Sequence, residues 1–357
     1  MKITEKITFV VPAYNVADTI QRTIDSILNQ TDDRYFIVIV NDGSTDNTDE
    51  ICLTYSKKYP DKITYISQEN RGLGGARNRG MDMVKTEYVS FLDSDDWLMP
   101  EYVERINQQL EDKKNQRAEI IMVLPQIYHE GSKVISAWYD EALFQEVFPE
   151  DGYIINPQTD RRIYQFEVSQ SRKLLKMEFV RKIDFRFREK IKWEDVYPHF
   201  YLLSQCEYCM GIRSVGFYYR IGTKGQITAS HGKDRLDILA VFDELLDFVK
   251  GKDALIFPVM RVMVRFSIWS IRMANMEIKQ LLVKEIHKVF IRIPRKYVHI
   301  LRKESKKGFT KADARQYGLF LTAIRHRIFI PIFYDYLYQN LAEKLIKKLL
   351  KVKKRVA

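Results

Sequence analysis

Three carboxylates crowd into Asp93-Ser94-Asp95-Asp96, directly behind the apolar run Tyr88-Val89-Ser90-Phe91-Leu92. Such a run reads as a buried strand, and acids at its carboxyl end would face the crevice where open α/β sheets bind ligands. Like charges this close repel unless a cation joins them. Carboxylate and phosphate oxygens suit a hard divalent ion, Mg²⁺ or Mn²⁺, and a metal on one or two carboxylates invites a diphosphate. A plainer alternative is that Asp96 caps a helix beginning near Pro100, with Glu101 in its first turn. A second acid pair lies in Lys192-Trp193-Glu194-Asp195-Val196, where apolar and aromatic neighbours could adjust a carboxylate toward general-base duty. Its alternative is a helix-start acid pair on a solvated face.

These acids must be positioned by the elements around them. Ile7-Thr8-Phe9-Val10-Val11 is a β-rich run, and Val16 to Leu28 follows with Ile20, Ile24, Ile27 and Leu28 at helical spacing. Tyr35–Val40 and Ile63–Ser67 read as further strands and Thr48–Lys58 as a helix; a Gly-rich loop and a helix to about Val84 then lead to the strand Tyr88–Leu92. Strands alternating with helices of this length imply right-handed βαβ crossovers and a mostly parallel sheet covered on both faces. The polar clusters Pro12–Asn15, Asp42–Asp46, Asn70–Asn78 and Asp93–Asp96 each follow a strand, so all four would line one edge. Backbone around Pro12-Ala13-Tyr14 and the Tyr14 ring could hold a flat base whose ring N–H Asp42 accepts, while Arg77, at a helix start, could meet a base edge or a phosphate.

Composition sets the outer bounds. With 357 residues, 46% of them hydrophobic, the chain is long enough for about two domains and is not disordered. The net charge of +11 divides unevenly: residues 251–357 hold 25 Lys/Arg against 7 Asp/Glu, and the first 250 hold 33 against 40. That basic back third suits an anionic partner, either a membrane surface or nucleic acid. Three cysteines, Cys52, Cys206 and Cys209, exclude a disulfide framework and suit a reducing compartment, with Cys206 and Cys209 read as core thiols rather than a zinc site. No apolar stretch of signal-peptide length opens the sequence. Residues 254–271 come nearest to a membrane span, but Arg261 and Arg265 interrupt them.

The motifs VPAYN at 11–15, VNDGSTDNT at 40–48, NRGLGGARNRG at 70–80, FLDSDD at 91–96, WED at 193–195 and YYRIGTKGQIT at 218–228 resemble those of the family 2 glycosyltransferases. These are GT-A-fold enzymes that attach sugars from nucleotide diphosphate donors, particularly in bacterial surface polysaccharide assembly. The resemblance covers roughly residues 5–230 and implies a GT-A catalytic domain over 1–230, a Rossmann-like α/β fold, followed by an all-helical basic region over 231–357. By the same resemblance, Pro12, Tyr14, Asp42, Asn70 and Arg77 would line the nucleotide pocket, and Asp93 would contact the nucleoside. Asp95 would ligate Mg²⁺ or Mn²⁺. Asp195 would be the general base with Glu194 beside it, and Arg220 would approach the diphosphate from a flexible loop. The chain departs from the family at Gln226, where serine is common, and His231 is a weaker candidate for a further metal ligand. Trp97 or Trp193 could stack on a sugar, although a buried aromatic is the plainer role for each.

In the back third, Leu236, Leu239, Phe242, Leu246 and Val249 recur at helical spacing, which continues through Val259–Ile271. Leu341, Leu345, Leu349 and Val352 mark one helical face and Lys344, Lys347, Lys348, Lys351 and Arg355 the other, the pattern of an interfacial helix or of one packed on its own domain. The reading that follows is a metal-dependent, inverting glycosyltransferase on the cytoplasmic face of a membrane. It would take a nucleotide-sugar donor and a glycan or lipid-linked acceptor, with homo-oligomers open and no nucleic acid, since the acidic edge would repel phosphate backbones. Two other classes remain open at this point: a metal-dependent phosphohydrolase built on Asp93-x-Asp95, and a non-enzymatic membrane-surface or nucleotide-binding module.

Overall fold

The computed structural model of the protein describes residues 6–223 and 230–304. The chain divides into two units, Met1–Gln226 and Ile227–Ala357. The first opens with β1 (Ile7–Ala13), α1 (Ile20–Leu28), β2 (Tyr35–Asn41), α2 (Thr48–Lys58), β3 (Ile63–Ser67), α3 (Gly72–Asp82) and β4 (Tyr88–Phe91). There follow β5 (Trp97–Leu98), α4 (Tyr102–Glu111), β6 (Ile120–His129), β7 (Val134–Ala137), α5 (Glu141–Val147) and β8 (Tyr153–Ile155). The unit closes with β9 (Lys173–Lys176), α6 (Met177–Lys182), α7 (Val196–Gln205) and β10 (Cys209–Ile221).

These strands form one mixed sheet in the order β3-β2-β1-β4-β9-β6-β10-β5, with β7 paired to β6 and β8 to β10. The β3-β2-β1-β4 half is wholly parallel, as the alternating pattern requires. All seven residues of β1 are buried, so this strand reads as a continuous apolar run rather than an alternating one. Ile20, Thr23, Ile24 and Ile27 form the buried face of α1.

One strand breaks the parallel run. β9 lies antiparallel between β4 and β6, with Ser90 opposite Leu174 and Met122 opposite Lys173. Because it runs the other way, its amino end arrives at the carboxyl end of β4, beside the acid cluster. Residues 170–173 thereby join the edge that the parallel strands had already built.

The Gly-rich stretch is not a loop ahead of a helix: Gly72–Gly75 are the first turn of α3 itself. Close packing explains the glycines. A Cβ on Gly74 would stand 2.1 Å from the backbone oxygen of Arg188, and one on Gly80 would stand 2.2 Å from Val10 Cγ1. Contact is the reason at Gly74 and Gly80, whereas Gly72 holds φ at +76°, the left-handed region that favours glycine.

In the second unit the described helices are α8 (Ile238–Phe248), α9 (Ile256–Met273), α10 (Met276–Ile291) and α11 (Arg295–Glu304). A short 3₁₀ turn, Lys233–Asp237, takes the place of the helix start expected at Arg235. Asn275 caps α10, its Oδ1 accepting the Ile278 N–H at 3.0 Å. Asp253–Met273 is long and apolar enough to cross a membrane, yet 67% of its apolar 18-residue window is buried inside the protein. Residues 318–337 and 341–357, and Gln226, lie outside the described residues.

The contact at Gly74 supplies a test. Gly74→Ala forces the helix off the Arg188 backbone and should lower the unfolding free energy by about 1–3 kcal/mol, read as a lower denaturant midpoint with unchanged m-value.

Candidate functional site

Loops after β1, β2 and β4 converge at the carboxyl edge of the sheet. Asn15, at φ +52°, accepts the Thr45 N–H on its side-chain oxygen at 2.7 Å, while its own N–H donates to Ser44 Oγ at 3.1 Å. Val16 N–H donates to Thr48 Oγ1 at 2.8 Å. These bonds lock the first two loops together. Pro12 lies inside β1 rather than after it and is buried, whereas Tyr14 projects and is 50% exposed. Asp42 is buried; its Oδ1 accepts Gln68 Nε2 at 2.7 Å and the Arg71 N–H at 2.9 Å, and Asn70 Nδ2 donates to its carbonyl at 3.0 Å. Asp42 and Asn70 thus meet, next to Tyr14's loop.

Arg77 does not stand at a helix start facing a ligand. It sits mid-helix in α3 with a 3% exposed side chain, donating to Asp93 Oδ1 at 2.9 Å through Nη2 and pairing with Glu194 through Nη1. The two carboxylates and the through-space pull of Asp195 hold the guanidinium protonated against the cost of burial. Asp93 also accepts Ser171 Oγ at 2.9 Å on Oδ2. One cation therefore ties the acid cluster after β4 to the acid pair before α7.

Asp96 does not cap α4, whose N-terminal position is Glu101 with no side-chain cap bond. It is fully buried instead, accepting the Arg220 N–H at 2.9 Å on Oδ1, while Oδ2 has no hydrogen-bond partner. Burial, then the charges of Asp95 and Asp93, push its carboxyl well above the ordinary carboxylate range. Asp95 is only partly buried and accepts a long bond from Thr223 Oγ1 at 3.5 Å. The side chains of Asp93, Asp95 and Asp96 present carboxylate oxygens, and one of these, Asp96 Oδ2, is buried without a hydrogen-bond partner. That chemistry fits a hard divalent cation. Among the described residues no group of three or more His, Cys, Asp and Glu side chains is arranged to hold a metal, so further oxygens would have to come from a bound nucleotide.

The acid pair before α7 is not a solvated helix start. Glu194 is buried and raised by that burial against the pull of Arg77; Asp195 occupies the N-cap position without making a side-chain cap bond and keeps part of its surface open. Desolvation and then the charge of Glu194 push Asp195 up to about 7, opposed by Arg77 and Lys173. Trp193, immediately before the two acids, holds φ at +68°, a costly conformation for a bulky residue.

Arg220 is in β10, not in a loop, and its Nε donates to Glu130 Oε2 at 2.6 Å. His231, in the second unit, pairs its Nδ1 with the Met273 carbonyl oxygen. Trp97 is buried between the Arg22 guanidinium, 3.3 Å from its ring centroid, and the rings of Tyr128 and Tyr218; Trp193 is buried as well. The three cysteines are free and buried.

Ser171 and Glu130, which the sequence did not single out, contact the acids and Arg220 at the edge, and Asn41, within the 40–48 motif, gains a structural role there. Asn41 Nδ2 donates to Asp49 at 2.5 Å while its Oδ1 accepts the Ser44 N–H at 3.0 Å, shaping the second loop. Gln170-Ser171-Arg172-Lys173 is wholly buried, though four polar residues in a row read as solvated; only the apolar Leu174-Leu175 behind them hinted at a strand.

A mixed sheet with its polar loops gathered over the carboxyl ends of parallel strands, one of them carrying an acid cluster, defines the GT-A class of fold. The profile described as "Glycosyl transferase family 2" matches residues 8–176, and the chain carries a domain of that family. Among curated proteins, the chain is 46% identical over 110 residues to "Glycosyltransferase GlyA" of Streptococcus pneumoniae, a match covering 31% of this chain and 16% of that protein. It is 34% identical over 124 residues to "Minor teichoic acid biosynthesis protein GgaB" of Bacillus subtilis, covering 34% of this chain and 14% of that one. The chain thus spans less than a third of the length of these relatives. Among solved structures, S. aureus TarS 1–349 in complex with UDP-GlcNAc superposes with a TM-score of 0.64 at 17% identity, covering 90% of this chain and 92% of that one.

The buried bridge can be tested directly. Arg77→Met leaves Glu194 and Asp93 without their shared cation and should cost about 3–5 kcal/mol of stability, measured by chemical denaturation near neutral pH.

Proposed function

We propose that the chain is an inverting glycosyltransferase that moves a sugar from a nucleotide diphosphate donor, in particular a UDP-sugar, to a hydroxyl of a glycan or lipid-linked acceptor in cell-surface polysaccharide assembly. The observation that carries this reading is the Arg77 bridge, which joins the acids beside the donor loops to the acid pair with the raised carboxylate. The family 2 domain and the likeness in fold to TarS, solved with UDP-GlcNAc, support the choice of donor.

In this mechanism Tyr14, Asp42 and Asn70 receive the nucleotide base, with Pro12 behind them, and Asp93 takes the nucleoside side. Asp95 would hold Mg²⁺ or Mn²⁺, which when bound supplies Lewis-acid neutralisation of the leaving diphosphate. Arg77 acts as the clamp that fixes Asp93 and Glu194, not as a phosphate ligand. Arg220 fixes the buried Asp96 through its backbone N–H, and a diphosphate contact from its side chain requires release from Glu130. Asp195, partly open, removes the proton from the acceptor hydroxyl as its oxygen attacks the anomeric carbon from the face opposite the diphosphate. The phosphohydrolase alternative would need a nucleophilic acid, whereas Asp93 is already held by Arg77 and Ser171.

Release of UDP from UDP-N-acetylglucosamine with Mn²⁺ tests the reading. Asp195→Asn should leave UDP affinity nearly intact while turnover falls by ~10²–10⁴-fold; a collapse of UDP affinity would assign Asp195 to the donor side instead. Only the ionised carboxylate can take the proton, so wild-type turnover should rise with pH through about 7. The basic back third suggests attachment to an anionic membrane face, each lysine near such a surface adding about 1 kcal/mol. Full-length chain should then sediment with anionic vesicles and lose that binding in added salt or on deletion of 341–357; equal binding of both chains would refute the attachment.

A further inference from the structure

The stretch that leads into the acid pair is irregular from Phe185 to Trp193 and is laid along α3. Its near end is fixed. The Phe187 N–H donates to Asn78 Oδ1 at 2.9 Å, Asn78 Nδ2 donates back to Phe187 O at 2.8 Å, and the Phe187 ring meets Phe91 edge-on at 5.2 Å. Its far end is fixed by the pairing of Glu194 with Arg77. Between these ends Arg71, just ahead of α3, holds the stretch at two points: its carbonyl accepts the Lys190 N–H at 3.0 Å, and its guanidinium forks onto Glu189, Nε to Oε2 at 2.9 Å and Nη2 to Oε1 at 2.7 Å. The Arg71 N–H is bound at the same time to Asp42 Oδ1. Glycines let the two segments come this close, since a Cβ on Gly72 would stand 3.2 Å from Lys190 N and one on Gly75 2.5 Å from Arg71 Cβ.

We propose that Glu189 is a positioning residue for the reaction: forked onto Arg71, it fixes the turn that presents Glu194 and Asp195 relative to the loop that receives the nucleotide base. This rests on the reading of Asp195 as the general base. Exposure argues against a role in stability. The Arg71 and Glu189 side chains are 49% and 30% exposed, and ion pairs open to water add little to stability, whereas a two-bond fork fixes orientation as well as distance. Strain argues for a role in placement. Lys190 and Trp193 hold φ at +53° and +68°, left-handed values that non-glycine residues keep only where their surroundings hold them. Lys190 follows Glu189 directly and Trp193 directly precedes the acids, so release of the fork would let this turn relax. A base displaced by about 1 Å can cost ~10²-fold in rate.

Turnover is read as UDP release from UDP-N-acetylglucosamine with Mn²⁺. The turn is read by ¹⁹F NMR of full-length chain carrying 5-fluorotryptophan at its four tryptophans, the Trp193 signal identified by its loss in Trp193→Phe. Glu189→Ala should lower turnover by ~10–100-fold with UDP affinity and melting temperature nearly unchanged, and should shift or broaden the Trp193 signal while that of Trp269 stays in place. Arg71→Met should act in the same direction, and the double variant should lose no more than either single change, because the two groups act as one unit. Glu189→Gln, which keeps the size and removes the charge, gives the same reading should the alanine variant not fold. An unmoved Trp193 signal in the folded variants, or a loss of UDP affinity in place of turnover, overturns the proposal while leaving Asp195 as base. A lower melting temperature with full turnover assigns the pair to packing and overturns it as well. Wild-type turnover in Asp195→Asn overturns the base reading by a separate observable, and the proposal with it.

Discussion

A guanidinium buried between two carboxylates is the constraint on which the site depends. Placing Arg77 in the interior of α3 is expensive, and only the simultaneous presence of Asp93 and Glu194 makes it tolerable. The three residues come from α3, the end of β4 and the segment before α7, so the bridge can form only when the parallel half of the sheet and the later strands are assembled in register. Positional accuracy at the acid edge is thereby a consequence of the same charge balance that would otherwise be a cost.

Once that bridge is fixed, burial differentiates the carboxylates. Asp93 is held by Arg77 and Ser171, Asp42 by Gln68 and the Arg71 N–H on one oxygen, and Glu194 by the guanidinium. Asp195 is partly open with a raised proton affinity, and Asp95, like Asp93, is partly buried at the rim. Chemically similar residues a few positions apart thus acquire different duties from their surroundings.

The strands of the parallel half were legible because β1, β2 and β4 are near-continuous apolar runs, and the loops behind them were legible because asparagine, aspartate and glycine repeat at the same point of each unit. The placement of Arg77 was not. Its sequence neighbours, glycines and asparagine, suggest a loop running into a helix start, and only the distant Glu194 explains why a charged residue goes inward. The same holds for Ser171 and Lys173: an antiparallel strand entering between β4 and β6 is a long-range event, and four consecutive polar residues give no local sign of it. Asp96 shows the converse, since a residue type that favours helix caps is here a buried acceptor for the backbone of β10.

The account is tested most directly by a crystal structure of the chain with UDP and Mn²⁺. The expected result is nucleotide density along the carboxyl edge, its base beside Asp42 and its diphosphate toward Asp95, with Arg77 still paired to both Asp93 and Glu194. Nucleotide bound elsewhere, or Arg77 released from Glu194 to grip a phosphate, would contradict it.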